Sequence, residues 1–238
     1  MFDTPLHRRD YKHRSCVGTL HPPLAAAMAL LAGLRANSRV LDPFAGVGTL
    51  AIEARRLQPA ASVTAADIDE ARIRDAATNA RLASARVDLA CADGARMPWR
   101  NGAFDRIVSN VPWARAVRVR GGLARTPERR EREIARVLDE AGRAVLLVDR
   151  DDPVGRCTRL GAPLALVHRS WVSVFGQHPR LCVVVRDGAG DGVIDAAAPC
   201  GPALERWLPR ADTAEIRPSP SPEIGSLPAT AALSSHRR

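Results

Sequence analysis

Three short segments of this chain set acids and glycines at intervals that suit ligand chemistry rather than packing alone. The first is Asp42-Pro43-Phe44-Ala45-Gly46-Val47-Gly48-Thr49, which ends one apolar run and opens a helical one. Glycine lets a backbone turn sharply and approach a ligand closely, which accounts for Gly46 and Gly48 at a strand-to-helix crossing. A dinucleotide loop would carry a third glycine in G-x-G-x-x-G spacing, so that a pyrophosphate rests on the helix N-terminus. Here that glycine is missing and Asp42 precedes the loop. An acid at that place repels a pyrophosphate but tolerates a ligand bearing an ammonium and a sulfonium, which argues for S-adenosylmethionine and against NAD. Next, Asp67-Ile68-Asp69 ends a second apolar run at the distance where an acid meets ribose hydroxyls in nucleotide-binding sheets. Asp67 is the ribose candidate, while Asp69 and Glu70 read as a helix start. Asp93-Gly94 closes a third run. By itself it is an ordinary turn, yet ligands of open parallel sheets collect at strand carboxyl ends, and this is the third such end in succession.

The elements that must position these residues alternate between short apolar runs and helical stretches, the pattern of a parallel sheet with crossover helices. Helices are expected over Pro22 to Leu34, Thr49 to Leu57, Glu70 to Leu82 and Pro127 to Glu140. Strands are expected over Arg39 to Leu41, Ser62 to Ala66, Val87 to Cys91, Phe104 to Ser109 and Arg143 to Val148. The last helix starts with Thr126 as N-cap and Pro127 at its first position, and Gly142 signals its end. Ala165 to Phe175 and Leu181 to Val185 read as a closing hairpin around Gly176 to Pro179, which supplies one antiparallel strand.

With the motifs in this order, D-P-F-A-G-x-G-T resembles the first motif of class I methyltransferases that act on amino groups of nucleobases. Ser109-Asn110-Val111-Pro112-Trp113 resembles their N-P-P-Y motif, and more closely the S-N-L-P-F form of THUMP-associated guanine methyltransferases of transfer RNA. The resemblance spans roughly residues 11 to 186 and implies a Rossmann-like α/β fold, a seven-stranded mostly parallel sheet with a C-terminal antiparallel hairpin and helices on both faces. It implies that Asp42, Gly46 and Gly48 line the methionine end of S-adenosylmethionine, that Thr49 begins the helix beneath it, that Asp67 meets the ribose and Asp93 the adenine amino group, and that Pro43, Phe44, Ile68, Gly94 and Asn110 also belong to the cofactor site. Gly18-Thr19-Leu20-His21-Pro22-Pro23 resembles the segment before the first helix, where Thr19 would touch the cofactor; His21 is either a base or a turn residue.

The resemblance also assigns the chemistry. A ring-conjugated amine is a poor nucleophile because its lone pair is delocalised. Two acceptors, the Asn110 side-chain oxygen and the Val111 carbonyl, would hold the nitrogen pyramidal, with Pro112 fixing the turn and withholding a donor. Trp113 would stack on the base. The alternative is a strand-ending turn with a packed aromatic. The segment departs from the family with Val111 for Pro or Leu, Trp113 for Tyr or Phe, and Ala114 where Gly is frequent. Trp99 and Phe104 are expected to pack.

Composition bounds the partners. The formal net charge is +9; residues 187–238 hold seven acids against five arginines, so the excess lies in residues 1–186. That basic part fits a polyanion, RNA and transfer RNA above all. Arg115, Arg118, Arg120 and Arg125 follow the Asn110 turn directly, and with Arg8, Arg9, Lys12 and Arg14 they are expected to meet phosphates. No THUMP-like segment stands in the sequence, so either this basic face binds RNA alone or a partner protein supplies recognition. Three regions are expected: a basic segment over 1–18, a methyltransferase domain over 19–186, and a tail over 187–238 too poor in apolar surface to order. The opening residues lack an apolar signal-peptide run and nothing approaches a membrane span, so a cytoplasmic protein is expected, with no membrane partner. Five cysteines without C-x-x-C spacing indicate neither a zinc site nor a disulfide framework. Rival readings at this point are protein glutamine methylation, DNA amino methylation, and cofactor and RNA binding without catalysis.

Overall fold

The computed structural model describes residues 8–113, 128–149, 164–174 and 176–186. The chain divides into two units, Met1–Leu208 and Pro209–Arg238, and every described residue belongs to the first. Along it run α1 (Pro22–Leu31), β1 (Arg39–Asp42), α2 (Thr49–Leu57), β2 (Ser62–Asp67), α3 (Glu70–Leu82), β3 (Asp88–Cys91), β4 (Phe104–Asn110), α4 (Glu128–Val137), β5 (Leu138–Val148), β6 (Leu164–Trp171) and β7 (Arg180–Arg186). The strands form one sheet in the order β3-β2-β1-β4-β5-β7-β6. The first five are parallel, β7 runs antiparallel to β5, and β6 antiparallel to β7. This is the mostly parallel class I sheet with its antiparallel hairpin.

Central strands read as unbroken apolar runs because both faces of the sheet are covered. Successive side chains point to opposite faces, so Val40, Val108, Val145, Leu147 and Val183 join one core with α1 and α2. Leu41, Ile107, Leu146, Cys182 and Val184 join the other with Ile134 and Val137 of α4. Between β3 and β4 Met97, Trp99 and Phe104 pack on that second core, with the Trp99 and Phe104 rings edge to face at 5.3 Å.

Two helix ends differ from the sequence expectation. α1 stops at Leu31 rather than Leu34 because Gly33 takes φ +64°, the left-handed turn that closes a helix. α4 stops at Val137 rather than Glu140, since Leu138 is fully buried and pairs with Phe104 in β4. Gly142 therefore lies inside β5 and does not cap α4. A Cβ there would sit 2.6 Å from Leu138 Cδ1 and 2.8 Å from the Asp139 carbonyl oxygen, so a tight local crossing, not a helix end, demands glycine. Thr126, Pro127 and Phe175 lie outside the described residues, as does the tail over 187–238.

The arm before α1 is bound to the sheet's helices by buried polar groups. Asn79 on α3, fully buried, donates to the Arg14 and Val47 carbonyls at 3.1 and 3.0 Å and accepts from the Arg14 amide at 3.0 Å. Glu53 on α2, 4% exposed, accepts from the Tyr11 hydroxyl at 2.7 Å and pairs with Arg9 at 3.0 Å. Burial and this carboxylate push the Tyr11 hydroxyl's pKa well above its ordinary value. A buried charge stays stable only when paired and hydrogen-bonded, a condition Glu53 meets through the arm. Asn79→Ala strips three hydrogen bonds and is expected to cost about 3 kcal/mol, read as a lowered urea midpoint with unchanged slope; an unaltered midpoint would show that the arm is not held this way.

Candidate active site

At the carboxyl edge the ends of β1, β2 and β4 and the turn after β3 open onto one cavity of about 350 Å³, at the small end of the range for ligand sites. Asp42, Asp67, Asp93 and Asn110 come to its wall from successive strand ends, and the arm adds Cys16 to Leu20. The loop after β1 and the turn after β4 thus face a common space.

Asp42 is 1% exposed and accepts from the Ser109 hydroxyl at 2.7 Å and the Phe44 amide at 3.2 Å. Burial dominates and raises its pKa to about 7, against the lowering effect of those two donors. Asp67 accepts from the Gly46 amide and the Asp69 amide, both at 2.9 Å, so its carboxylate braces the loop after β1 while lining the cavity. Asp93 accepts from Ala95 N at 2.9 Å, closing the turn after β3. Ile68, 39% exposed, adds apolar surface to the wall beside Asp67.

The glycines divide in purpose. Gly46, at φ +54°, lines the cavity. Gly48 does not reach its wall: at φ +84° it caps α2, and a Cβ there would lie 3.1 Å from Ala76 Cβ on α3. Gly94 and Phe44 both line the cavity, with Gly94 buried against the Phe44 ring, which a Cβ would overlap at 2.2 Å. Pro43, like Gly48, lies off the wall. Thr49, the first residue of α2, lines the cavity 4% exposed, with a hydroxyl that has no partner among the described residues. Thr19 lines it too, but its hydroxyl is engaged within the arm, donating to Cys16 O at 2.6 Å and accepting from Cys16 N at 2.8 Å. His21 is the N-cap of α1, its carbonyl accepting from Leu24 and Ala25.

Asn110 Nδ2 donates to the Gly18 carbonyl at 2.9 Å, while Oδ1 is buried with no partner among the described residues. The amide's donor end is thus used and its acceptor end is not. Val111 N donates to Leu147 O at 3.0 Å, extending the β4 ladder one residue before Pro112 ends it. Pro112 and Trp113 line the cavity, and the Trp113 indole nitrogen is buried without a partner among the described residues.

Several residues in or behind the wall were not singled out from the sequence. Ser109 orients Asp42. Among the described residues Arg72 is the one cation on the wall, its guanidinium 3.3 Å from Cys16 Sγ and 3.9 Å from Asp69. Its signal was position alone, three residues into the helix that Asp69 caps. Val174 and Gln177 reach the cavity from the β6–β7 turn. The expected phosphate contacts at the N-terminus need correction. Arg9 is held by Glu53 and the Lys12 ammonium donates to Leu20 O at 2.8 Å, so both hold the arm in place. Arg115, Arg118, Arg120 and Arg125 lie outside the described residues.

Comparison with known proteins follows the same outline. A family model described as RMKL-like, methyltransferase domain, matches residues 9–180. The chain is 35% identical over 186 residues to the tRNA (guanine(6)-N2)-methyltransferase of Thermus thermophilus, across 76% of this chain and 54% of that protein. It is 31% identical over 153 residues to the U6 snRNA (guanine-N(2))-methyltransferase THUMPD2 of Bos taurus, across 63% of this chain and 29% of that one. The crystal structure of TrmN from Thermus thermophilus matches with a TM-score of 0.63 and 32% identity, over 77% of this chain and 54% of that one. The chain spans about half the length of the Thermus proteins and under a third of the bovine one.

The Asp42 carboxyl has its pKa raised from 3.8 to about 7 on folding. The folded chain therefore keeps a proton that the unfolded chain has released, and the resulting stabilisation is full below the ordinary carboxylate range and lost as pH rises through about 7. Urea titration of the ligand-free protein is expected to give a lower midpoint at about pH 8 than at about pH 5, and Asp42→Asn to shrink the difference. An undiminished difference in the variant would assign the effect to another group.

Proposed function

The chain belongs to the RMKL-like methyltransferase domain family, and on that premise we propose that it transfers the methyl group of S-adenosylmethionine to an exocyclic amino group of a base in RNA. Guanine N2 in transfer RNA is the leading target. The observation that carries this reading is the divided Asn110 amide on the cavity wall, its donor end bound to Gly18 and its acceptor end without a partner among the described residues. A hydroxyl or thiol substrate would offer at most one hydrogen to such an acceptor, and that hydrogen leaves with the reaction. An amino group keeps a second hydrogen, so an oriented amide oxygen remains useful through the transfer.

The residues present fit the cofactor. When bound, it supplies an electrophilic methyl on a sulfonium and brings an ammonium, a carboxylate and a ribosyl adenine. The wall offers the Asp42, Asp67, Asp69 and Asp93 carboxylates to its cations and hydroxyls. Arg72 and the unpartnered Thr49 hydroxyl are available to the carboxylate, and Ile68 gives apolar surface to the adenine. Asp67 is assigned to the ribose and Asp93 to the adenine amino group, since they end the second strand and follow the third.

In this reading Asn110 Oδ1 accepts one N–H of the target amine and the Val111 carbonyl accepts the other, aligning the lone pair. Pro112, lacking an N–H, leaves that carbonyl without a competing donor. Trp113 presents an aromatic surface to the base. Positioning at the cavity wall then provides most of the acceleration, since no side chain of a strong base is called for. The relatives named above are, by their names, guanine-N2 methyltransferases of tRNA and of U6 snRNA, which supports RNA and guanine N2. The four arginines after Trp113 are assigned to phosphate contact on charge alone.

Mass spectrometry of nucleosides from RNA incubated with the protein and S-adenosylmethionine is expected to reveal N2-methylguanosine. Label found only in protein, or no methylated nucleoside in any RNA class, would overturn the proposal. Asn110→Ala is expected to lower kcat about 100-fold or more with cofactor Kd within about threefold, whereas Asp67→Ala raises cofactor Kd about tenfold or more with kcat at saturation largely kept. Parallel losses of both parameters in both variants would contradict this division of labour.

A further inference from the structure

β6 is the edge strand and runs in the same direction as β5, since each is antiparallel to β7. Its last residue, Trp171, therefore arrives at the carboxyl edge of the sheet, opposite Arg180, which itself lies opposite Val148 at the end of β5. The turn that follows reaches the cavity: Val172 N donates to Pro179 O at 3.1 Å, Val174 and Gln177 pair through two 2.9 Å bonds, and these last two line the wall. Trp171 is 49% exposed, and the Arg180 guanidinium carbon lies 4.7 Å from the centre of its ring. Arg169, two residues earlier on the same face, is exposed as well.

An indole half open to water has an apolar surface that a soluble domain gains nothing by exposing, whereas single-stranded nucleic acid is bound by such rings beside cationic side chains. The side of the ring toward β7 is covered by Arg180. The other face belongs to the edge strand, beyond which no further strand lies among the described residues. A base placed there completes a three-layer stack of guanidinium, indole and base, one turn of chain away from the cavity.

We propose that Trp171, backed by Arg180, is a stacking platform for an unpaired nucleotide flanking the target base, so that the edge hairpin holds the RNA strand while the cavity takes the base. The cationic surroundings, the formal charge of +9 and the continuity with the cavity wall favour a polyanion bearing aromatic bases over a second copy of this basic chain. The proposal rests on the RNA substrate argued above, and its test separates the two.

Labelled oligouridylate, which offers stackable bases but no amino group to methylate, is the probe, with affinity read by fluorescence anisotropy on the full chain. Trp171→Ala is expected to weaken binding about tenfold, Trp171→Phe to stay within about threefold of wild type, and S-adenosylmethionine affinity to be unchanged in both. Wild-type affinity in Trp171→Ala overturns the proposal. So does a parallel loss of cofactor affinity, which would mark a structural role, or a dimer lost in Trp171→Ala with oligouridylate binding intact, which would mark a second copy as the occupant. If oligouridylate binding depends on Trp171 while no methylated nucleoside forms, the platform stands and the methyltransferase assignment falls. If methylation is normal and binding is indifferent to Trp171, only the platform falls.

Discussion

The hydrogen bond from Asn110 to the Gly18 carbonyl, 2.9 Å long, decides which end of one amide is left to accept. An amide can turn either way, and only with the nitrogen engaged elsewhere does the oxygen become a fixed acceptor. That fixing depends on Gly18 being where it is, and Gly18 belongs to a segment with no regular secondary structure. The segment is in turn held by Asn79 on α3 and Glu53 on α2, whose polar groups are buried and satisfied largely through it. Site and scaffold are thus linked by a chain of polar contacts running from the interior of two helices, through the arm, to the end of β4.

The charges around the cavity follow a consistent logic. Among the described residues, four carboxylates to one guanidinium on the wall make a poor home for a polyphosphate and a good one for a cationic ligand. Yet the innermost of them, Asp42, is so deeply buried that its ionised form is disfavoured until about pH 7. An arriving positive charge would draw that carboxyl toward ionisation, so electrostatic complementarity here develops with occupancy instead of standing fully formed beforehand.

Much of the sheet was legible because its information is local. Alternating apolar runs and helical stretches marked five parallel strands and a hairpin, and the acids at three strand ends announced where a ligand would gather. The Asn110 turn was legible by motif. What escaped was whatever depends on contacts distant in sequence. Nothing in Gly142 tells that it will meet Leu138 in a bent strand and not cap a helix. Arg9 and Lys12 looked like phosphate ligands because composition reports charge and is blind to Glu53, 44 residues from Arg9, and to the Leu20 carbonyl. Arg72 gave no sign of facing the cavity, since a helix start rich in charge is ordinary, and Val174 and Gln177 arrive only because the last hairpin folds back beside β5.

The pairing of Phe44 with Gly94 bears on how motifs of this kind should be read. Both residues sit in segments whose spacing advertises a ligand, yet they also meet each other: one ring occupies the space that a β-carbon on the glycine would need. In a relative with a small side chain at the first position, the second would be released from its restriction. Coordinated replacement at the two sites would then trace steric accommodation, leaving identities such as Asp67 and Asn110 as the cleaner record of selection for reactivity.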